Sequence, residues 1–156
     1  MLHLSGARFV ALGSLLLGEL AHAGTTRYVA QSLASGANDG SSWSNAFRGP
    51  LSLQAALASA QAGDEIWVAA DVYRPALPGG TIASTFQMKE GVRIYGGFAG
   101  GESLLAERNI ALHATTISGD LNNDESLADN VAHVVTATGL SNLSVLDGFT
   151  ITRGHA

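Results

Sequence analysis

Residues 53–73 read LQAALASAQAGDEIWVAADVY and join two different patterns. The apolar residues of the first part follow the i, i+3, i+4, i+7 spacing of an amphipathic helix, namely Leu53, Ala56, Leu57 and Ala60. Pro50 suits a first helical turn, and Gly63 suits a left-handed residue that ends the helix. Residues 65–69, EIWVA, have the β-rich composition of a short strand. We therefore expect a helix over residues 51–62 that leads directly into a strand.

Other short β-rich segments lie along the rest of the chain. They cover residues 27–30, 85–88, 92–95, 115–118, 133–136 and 145–152. No segment after Gly63 has helical periodicity, which argues against an α/β fold with a helix between successive strands. Asp-Gly turn signals occur only at Asp39 and Asp147, too few for the hairpins of a β-sandwich. The sequence therefore predicts an all-β fold with parallel coiling.

The apolar centres of these segments recur at irregular intervals. Taken as equivalent points of successive coils, they are Val68, Ile94, Ile117, Val135 and Ile151. Such a ragged repeat is within the variation of a solenoid that carries loops of different length. We expect these five residues, together with Ile66, to be buried and stacked in rows.

Composition and charge exclude several classes of function. The chain has 156 residues, of which 46% are hydrophobic and 13% charged, so it is long and apolar enough for one domain with a core. Its formal net charge is -5 and its basic residues are scattered, which argues against nucleic acid as a partner. It has no cysteine, which excludes disulfides, thiolate catalysis and cysteine-ligated zinc.

The N-terminal segment is typical of a signal peptide. Residues 9–20 are mostly apolar, and Ala21-His22-Ala23 supplies the small-x-small pattern of a cleavage site. The alternative is a buried first helix, which Gly13 and Gly18 weaken. The apolar stretch is too short to span a bilayer. We expect residues 1–23 to be removed and the mature chain to begin at Gly24, without a membrane span, as a secreted or cell-surface protein.

Several motifs in sequence order resemble a known family. They are NDGSSWSNAF at 38–47, IYGGFAGGE at 94–102, RN at 108–109, ISGD at 117–120, HVV at 133–135 and LDGFTI at 146–151. With residues 53–73, they resemble a bacterial branch of large secreted proteins of the pectate-lyase-like superfamily. The resemblance implies a right-handed parallel β-helix, a solenoid, with an N-terminal capping helix. Asp71 departs from the family pattern, which usually has glycine there.

The resemblance also implies a division of the chain. Residues 24–64 would form an N-terminal cap, and residues 65–156 would form the first coils of a β-helix. Because proteins of this branch generally continue for many more coils, the chain resembles their N-terminal segment, truncated at its C-terminal end.

None of these motifs is a catalytic signature. Lys89, Glu65 and Asp147 are better explained as turn or strand residues than as acid–base groups, so the sequence assigns no catalytic, cofactor-binding or metal-binding residue and no cofactor. We expect an exported scaffold that is structural or contacts carbohydrate, with polysaccharide or cell-surface glycans as partners. Trp67 and Tyr95 would be sugar-stacking platforms if they faced outward. The alternative is the N-terminal part of a polysaccharide lyase or glycoside hydrolase whose active face lies further downstream.

One acidic segment leaves calcium binding open. Asp120, Asn122 and Asp124 have the 1, 3, 5 spacing of oxygen ligands in a calcium loop. The glycine expected at the sixth position and the glutamate expected at the twelfth are replaced by Glu125 and Val131. The incomplete pattern favours a solvated, turn-forming surface loop over a calcium site.

Overall fold

The computed structural model describes residues 22–32 and 35–155. Most regular structure in this part of the chain is β-strand, with one α-helix, which confirms a β-rich fold. The strands are β1 Thr26–Val29, β2 Glu65–Ala69, β3 Asp71–Tyr73, β4 Phe86–Gln87, β5 Arg93–Phe98, β6 Thr115–Ser118, β7 Val135–Thr136, β8 Val145–Asp147 and β9 Phe149–Thr152. The helix α1 is Ser52–Ser59, and a 3-10 turn spans Leu105–Glu107.

The strands form three sheets in which every strand pairing is parallel. Their orders are β1-β2-β5-β8, β3-β6-β9 and β4-β7. Strands β2 to β6 each pair with the strand three places later in the chain. After β1 and β2, which are neighbours in the first sheet, consecutive strands belong to different sheets, and the chain returns to the first sheet at β5 and again at β8.

A single apolar cluster draws side chains from all three sheets and from α1. Ile66 of β2 pairs with Ile94 of β5, and both are buried. Tyr73 of β3 pairs with the buried Ile117 of β6 in the second sheet. Helix α1 contacts β1, β2 and β4 and contributes Leu53 to the same cluster. The core thus lies where the three sheets and the helix meet.

The expected stacking is confirmed for the pairs Ile66–Ile94 and Ile117–Ile151, but the single row of equivalent residues is wrong. Val68 pairs with Val29 rather than Ile94, and Ile117 and Val135 lie in the second and third sheets. The expected burial fails for Ile151, which is 52% exposed on the edge strand β9, and Val135 is only half-buried. Composition shows that a segment is β-rich, but it does not show which segments become neighbours.

Several element boundaries also differ from the sequence prediction. Helix α1 ends at Ser59 because Ala60 is extended, so Gly63, with φ of 98°, lies in the turn before β2 and not at the helix end. The predicted strand over residues 145–152 is two strands, separated at Gly148 with φ of 81°. A Cβ at Gly148 would lie 2.7 Å from the Gly96 carbonyl oxygen, so close packing and backbone conformation both require glycine. Strand β3 was not predicted, since Asp71 is a poor strand former.

The predicted signal peptide lies almost wholly outside the described residues, since residues 1–21 are not among them. Within the part of the chain that the structure describes, no helix has both the length and the apolar character needed to cross a membrane.

Candidate functional site

The acidic segment after β6 forms a closed loop. Asp120 and Asn130, at its two ends, are partners in an isolated antiparallel bridge. They are 3% and 2% exposed, although most of the residues between them are exposed. Asn123 and Glu125 have φ of 56° and 63°, so the backbone turns sharply twice within the loop. The bridge and these turns bring the acidic residues back toward each other.

Three carboxylates of this loop converge. One oxygen each of Asp120, Asp124 and Asp129 lies within 4.8 Å of the other two. Calcium binds oxygens at about 2.3–2.6 Å, so ligands on opposite sides of one ion lie about 5 Å apart. The three oxygens could therefore contact a single calcium-sized ion, and further ligands would have to come from other groups.

Two of these carboxylates also organise the loop backbone. The Asp120 oxygens accept hydrogen bonds from the backbone N–H groups of Asp124 and Glu125, each at 3.2 Å. An Asp129 oxygen accepts from the N–H of Asn122 at 2.7 Å. Burial alone would raise the pKa of Asp120, but the N–H donors, with Arg153 nearby, outweigh it and lower that pKa below its ordinary value. Asp120 is therefore held in the charged form.

The structure revises the residues suggested by the 1, 3, 5 spacing. Asp120 and Asp124 do lie together, but the side-chain oxygen of Asn122 accepts a hydrogen bond from the backbone N–H of Gly79, in a different loop. Asp129 takes the third position instead. Asp129 is far from Asp120 in sequence, and only the bridge that closes the loop brings them together. The sequence shows that residues 120–129 are acidic, but no spacing rule identifies Asp129 as the third carboxylate of the cluster.

Unpartnered polar atoms lie beside this cluster. Oδ1 of Asp129 and both Oδ1 and Nδ2 of Asn130 are buried and have no hydrogen-bond partner within the described residues. Buried polar atoms are nearly always paired with protein, water or an ion. Three unpartnered atoms on the two consecutive residues Asp129 and Asn130 therefore need an explanation.

Arginines support the rim of the loop. Nε of Arg74 donates to the backbone oxygen of Asp120 at 2.7 Å, which ties the loop to the segment after β3. Arg153 lies 3.4 Å from Glu125, an exposed pair. A cleft of about 200 Å³ between Arg74, Leu121 and Asn122 adjoins the loop. These contacts hold the loop without occupying the unpartnered oxygens.

An aromatic cluster covers the outer face of the first sheet. Trp67 stacks on Phe98 with ring centroids 4.8 Å apart, and Trp43 lies 4.8 Å from Tyr28 and 5.5 Å from Phe98. Trp43 also donates its indole N–H to the backbone oxygen of Glu102 at 2.8 Å. Trp67 is only 5% exposed, so it does not provide the stacking platform considered from the sequence. The cluster fastens the two loops that contain Trp43 and Glu102 to the sheet.

One face of the Tyr95 ring is covered by the Arg108 side chain. The guanidinium carbon of Arg108 lies 5.1 Å from the centre of its ring, within the range of a cation–π contact. Arg108 in turn pairs with Asp147. Tyr95 is half-buried beneath this pair, which limits its use as a sugar platform.

The other candidate acid–base groups have structural contacts. Lys89 donates to the backbone oxygens of Ala58 and Ala60. Its positive charge therefore lies at the C-terminal end of α1, where it interacts favourably with the helix dipole. Glu65 pairs with Arg93 at 3.2 Å and accepts a hydrogen bond from the Trp67 indole at 2.9 Å. Lys89, Glu65 and Asp147 therefore lie in separate interactions, and these interactions do not form a shared acid–base site.

Asp64 is a buried carboxylate that the sequence analysis did not single out. It is 0% exposed and accepts hydrogen bonds from Thr25 N at 2.8 Å, Gln61 N at 3.0 Å and Arg27 Nε at 3.0 Å, with His22 Nε2 2.7 Å away. Burial would raise its pKa, but these donors outweigh burial and hold the pKa well below the ordinary value. The Gly63-Asp64 pair just before β2 was its only sequence signal.

Comparison of the chain with models of protein families, with curated proteins and with solved structures finds no match.

Proposed function

We propose that the chain forms coils of an exported right-handed parallel β-helix, which serves as a structural or carbohydrate-contacting scaffold of a surface or extracellular protein. The observation that carries this proposal is the parallel pairing of each of the strands β2 to β6 with the strand three places later. A chain that visits three sheets in turn and then stacks on its own earlier strands has the connectivity of a solenoid.

The handedness follows from a general property of parallel strands. Connections between parallel strands of one sheet are right-handed in about 98% of cases. The connections from β2 to β5 and from β3 to β6 are of this kind, and each passes through strands of the other sheets. A right-handed coil is therefore expected.

The edge strands β8 and β9 of the first two sheets carry apolar side chains. Leu146 and Phe149 are half-buried and pack against the core, and Ile151 extends the row of Ile117 while remaining 52% exposed. Unpaired edges with apolar side chains are usually covered. We propose that further coils of the same kind pack on β8 and β9, as in an extended scaffold.

The export part of the proposal has a direct test. Secreted protein should begin at Gly24 when its N-terminus is sequenced, and secreted material that still begins at Met1 would contradict export by cleavage. Cleavage after Ala23 would remove His22 but leave Asp64 its contacts with Thr25, Arg27 and Gln61.

The scaffold part is tested by incubating purified residues 24–156 with pectin, alginate and insoluble cell-wall polysaccharide. We expect no release of unsaturated or reducing sugars, since the candidate acid–base residues lie in separate structural contacts. Retention on the insoluble polysaccharide would favour a carbohydrate-contacting scaffold over a purely structural one. Catalytic release of sugars by the wild-type chain would contradict the proposal.

A further inference from the structure

We propose that the loop between Asp120 and Asn130 binds a divalent cation of the size of calcium, with Asp120, Asp124, Asp129 and Asn130 as its side-chain ligands. The inference is independent of the scaffold function, because it rests on the loop itself. Its first support is the convergence of three carboxylate oxygens within 4.8 Å.

The convergence is electrostatically unfavourable without a counter-charge. Three carboxylates at this separation repel each other, most strongly where they are shielded from water. Backbone N–H donors and the nearby Arg153, which pairs directly with Glu125, offset part of the repulsion at Asp120. A bound divalent cation would offset the remainder.

Asn130 is the second, independent observation. It is 2% exposed, and neither atom of its side-chain amide has a hydrogen-bond partner among residues 22–32 and 35–155. Because Asn130 and Asp120 are opposite partners in an antiparallel bridge, their side chains leave the backbone on the same side, with Cβ atoms about 5 Å apart. The unpartnered amide is thus directed toward the side on which the Asp120 carboxylate lies.

The chemistry of these groups favours calcium. All the proposed ligand atoms are oxygens, and the free Oδ1 of Asp129 and Oδ1 of Asn130 are both acceptors without a donor. Calcium takes six to eight oxygen ligands in flexible geometry, whereas magnesium requires a near-ideal octahedron and keeps several waters. Backbone oxygens or water would complete the coordination, and one water could accept from Nδ2 of Asn130.

The test is a calorimetric titration of the chelator-treated chain with calcium. We expect one site per chain, with a dissociation constant on the order of 10⁻⁴ M, typical of extracellular modules. Magnesium should bind more weakly. Absence of calcium binding up to about 10 mM, or tighter binding of magnesium, would overturn the proposal.

Asparagine substitutions locate the site. D124N and D129N keep an acceptor oxygen but remove a charge, and each should weaken calcium binding by at least about tenfold. D39N is the matched control, because Asp39 accepts from Ser41 N at 2.9 Å just as Asp124 accepts from Ser126 N at 2.9 Å. D39N should leave the affinity unchanged. Equal effects of D39N and D124N would show binding by general charge, which contradicts the proposed site.

A substitution at Asn130 separates a ligand from a merely buried amide. N130L is close in volume and removes both unpartnered atoms, so stability without calcium should be kept or raised. The calcium-dependent rise in the unfolding midpoint should be lost. A calcium-dependent rise equal to that of the wild type would overturn the role of Asn130, and if D129N also retained it, the site itself would be overturned.

Discussion

Asp64 shows how one side chain can join distant parts of the chain. Its hydrogen-bond donors are Thr25, just before β1, Arg27 of β1, and Gln61, just after α1. An unpaired buried carboxylate would be costly, whereas this one has donors for both oxygens. The contacts fix the first strand against the turn that begins β2.

Replacing Asp64 with asparagine should therefore destabilise the fold. The amide keeps the size of the side chain but removes the charge opposite Arg27 and presents an N–H group to the existing donors. We expect a loss of about 3 kcal/mol in the free energy of unfolding, the lower end of the range for breaking a buried ion pair. Urea denaturation measures it, with D39N, an exposed aspartate, as a control within about 0.5 kcal/mol of the wild type.

The same carboxylate predicts how stability depends on pH. Because the pKa of Asp64 is lower in the folded state than in the unfolded state, its contribution is complete above the unfolded value of about 4 and is lost as the pH falls through the folded value. The free energy of unfolding should decrease as the pH falls from about 5 to about 2. The decrease should be smaller in D64N, without vanishing, because the pKa values of Glu102 and Asp120 are also lowered. An equal decrease in D64N would contradict this role.

At the scale of elements, residues of the same type in similar β-rich segments can differ strongly in burial. Ile117 on β6 and Ile151 on β9 are paired neighbours in the second sheet, yet Ile117 is 1% exposed and Ile151 52%. The difference arises because β6 is paired on both sides and β9 is an edge strand.

Alanine substitutions at these two positions should differ accordingly. Ile117→Ala should cost about 3 kcal/mol, since it removes buried methyl groups and leaves a cavity. Ile151→Ala should cost less than about 1 kcal/mol, because its side chain is already half in water. Denaturant unfolding of both variants checks this, and equal losses would show that the assignment of edge and interior is wrong.

The sequence predicted some elements well and others poorly, for physical reasons. The compositions of β2 and β6 are dominated by β-formers, and both segments were predicted with the bounds that the structure gives. Helix α1 was overextended, because its alanines favour helix up to Ala62 but Ala60 instead turns toward β2. The sequence placed Gly148 inside a strand. Its positive φ and its close approach to Gly96 depend on the neighbouring strand, so a local pattern does not reveal them.

The acidic site was predicted in part for a similar reason. The spacing of Asp120 and Asp124 is local, so the sequence indicated both. The contributions of Asp129 and Asn130 depend on the bridge that closes the loop. No sequence pattern indicates Asn130, because it is its buried amide without a hydrogen-bond partner in the described structure that suggests a ligand.

At the scale of the whole molecule, strand order is the property that local patterns could not supply. Parallel coiling was predicted from the lack of helices and hairpins, but the row through Val68, Ile94 and Ile117 was wrong, because these residues occupy different rows or sheets. Parallel neighbours far apart in sequence are selected by packing of the whole fold, which no short window of sequence contains.

Strands β3, β6 and β9 stack as successive parallel strands of the second sheet. Val72, Thr116 and Thr150 are consecutive partners across this sheet, and all three are at least partly exposed. Adjacent strands lie about 4.8 Å apart and alternate strands about twice that, whereas a disulfide needs Cα atoms within about 7 Å. Because the chain has no cysteine, introduced pairs can be tested without interference.

Disulfide formation under mild oxidation is therefore the most direct measurement. We expect T116C/T150C and V72C/T116C to form intramolecular disulfides readily and V72C/T150C not to form one, as judged by mass spectrometry of the monomer. Efficient cross-linking of V72C/T150C together with failure of T116C/T150C would contradict the strand order.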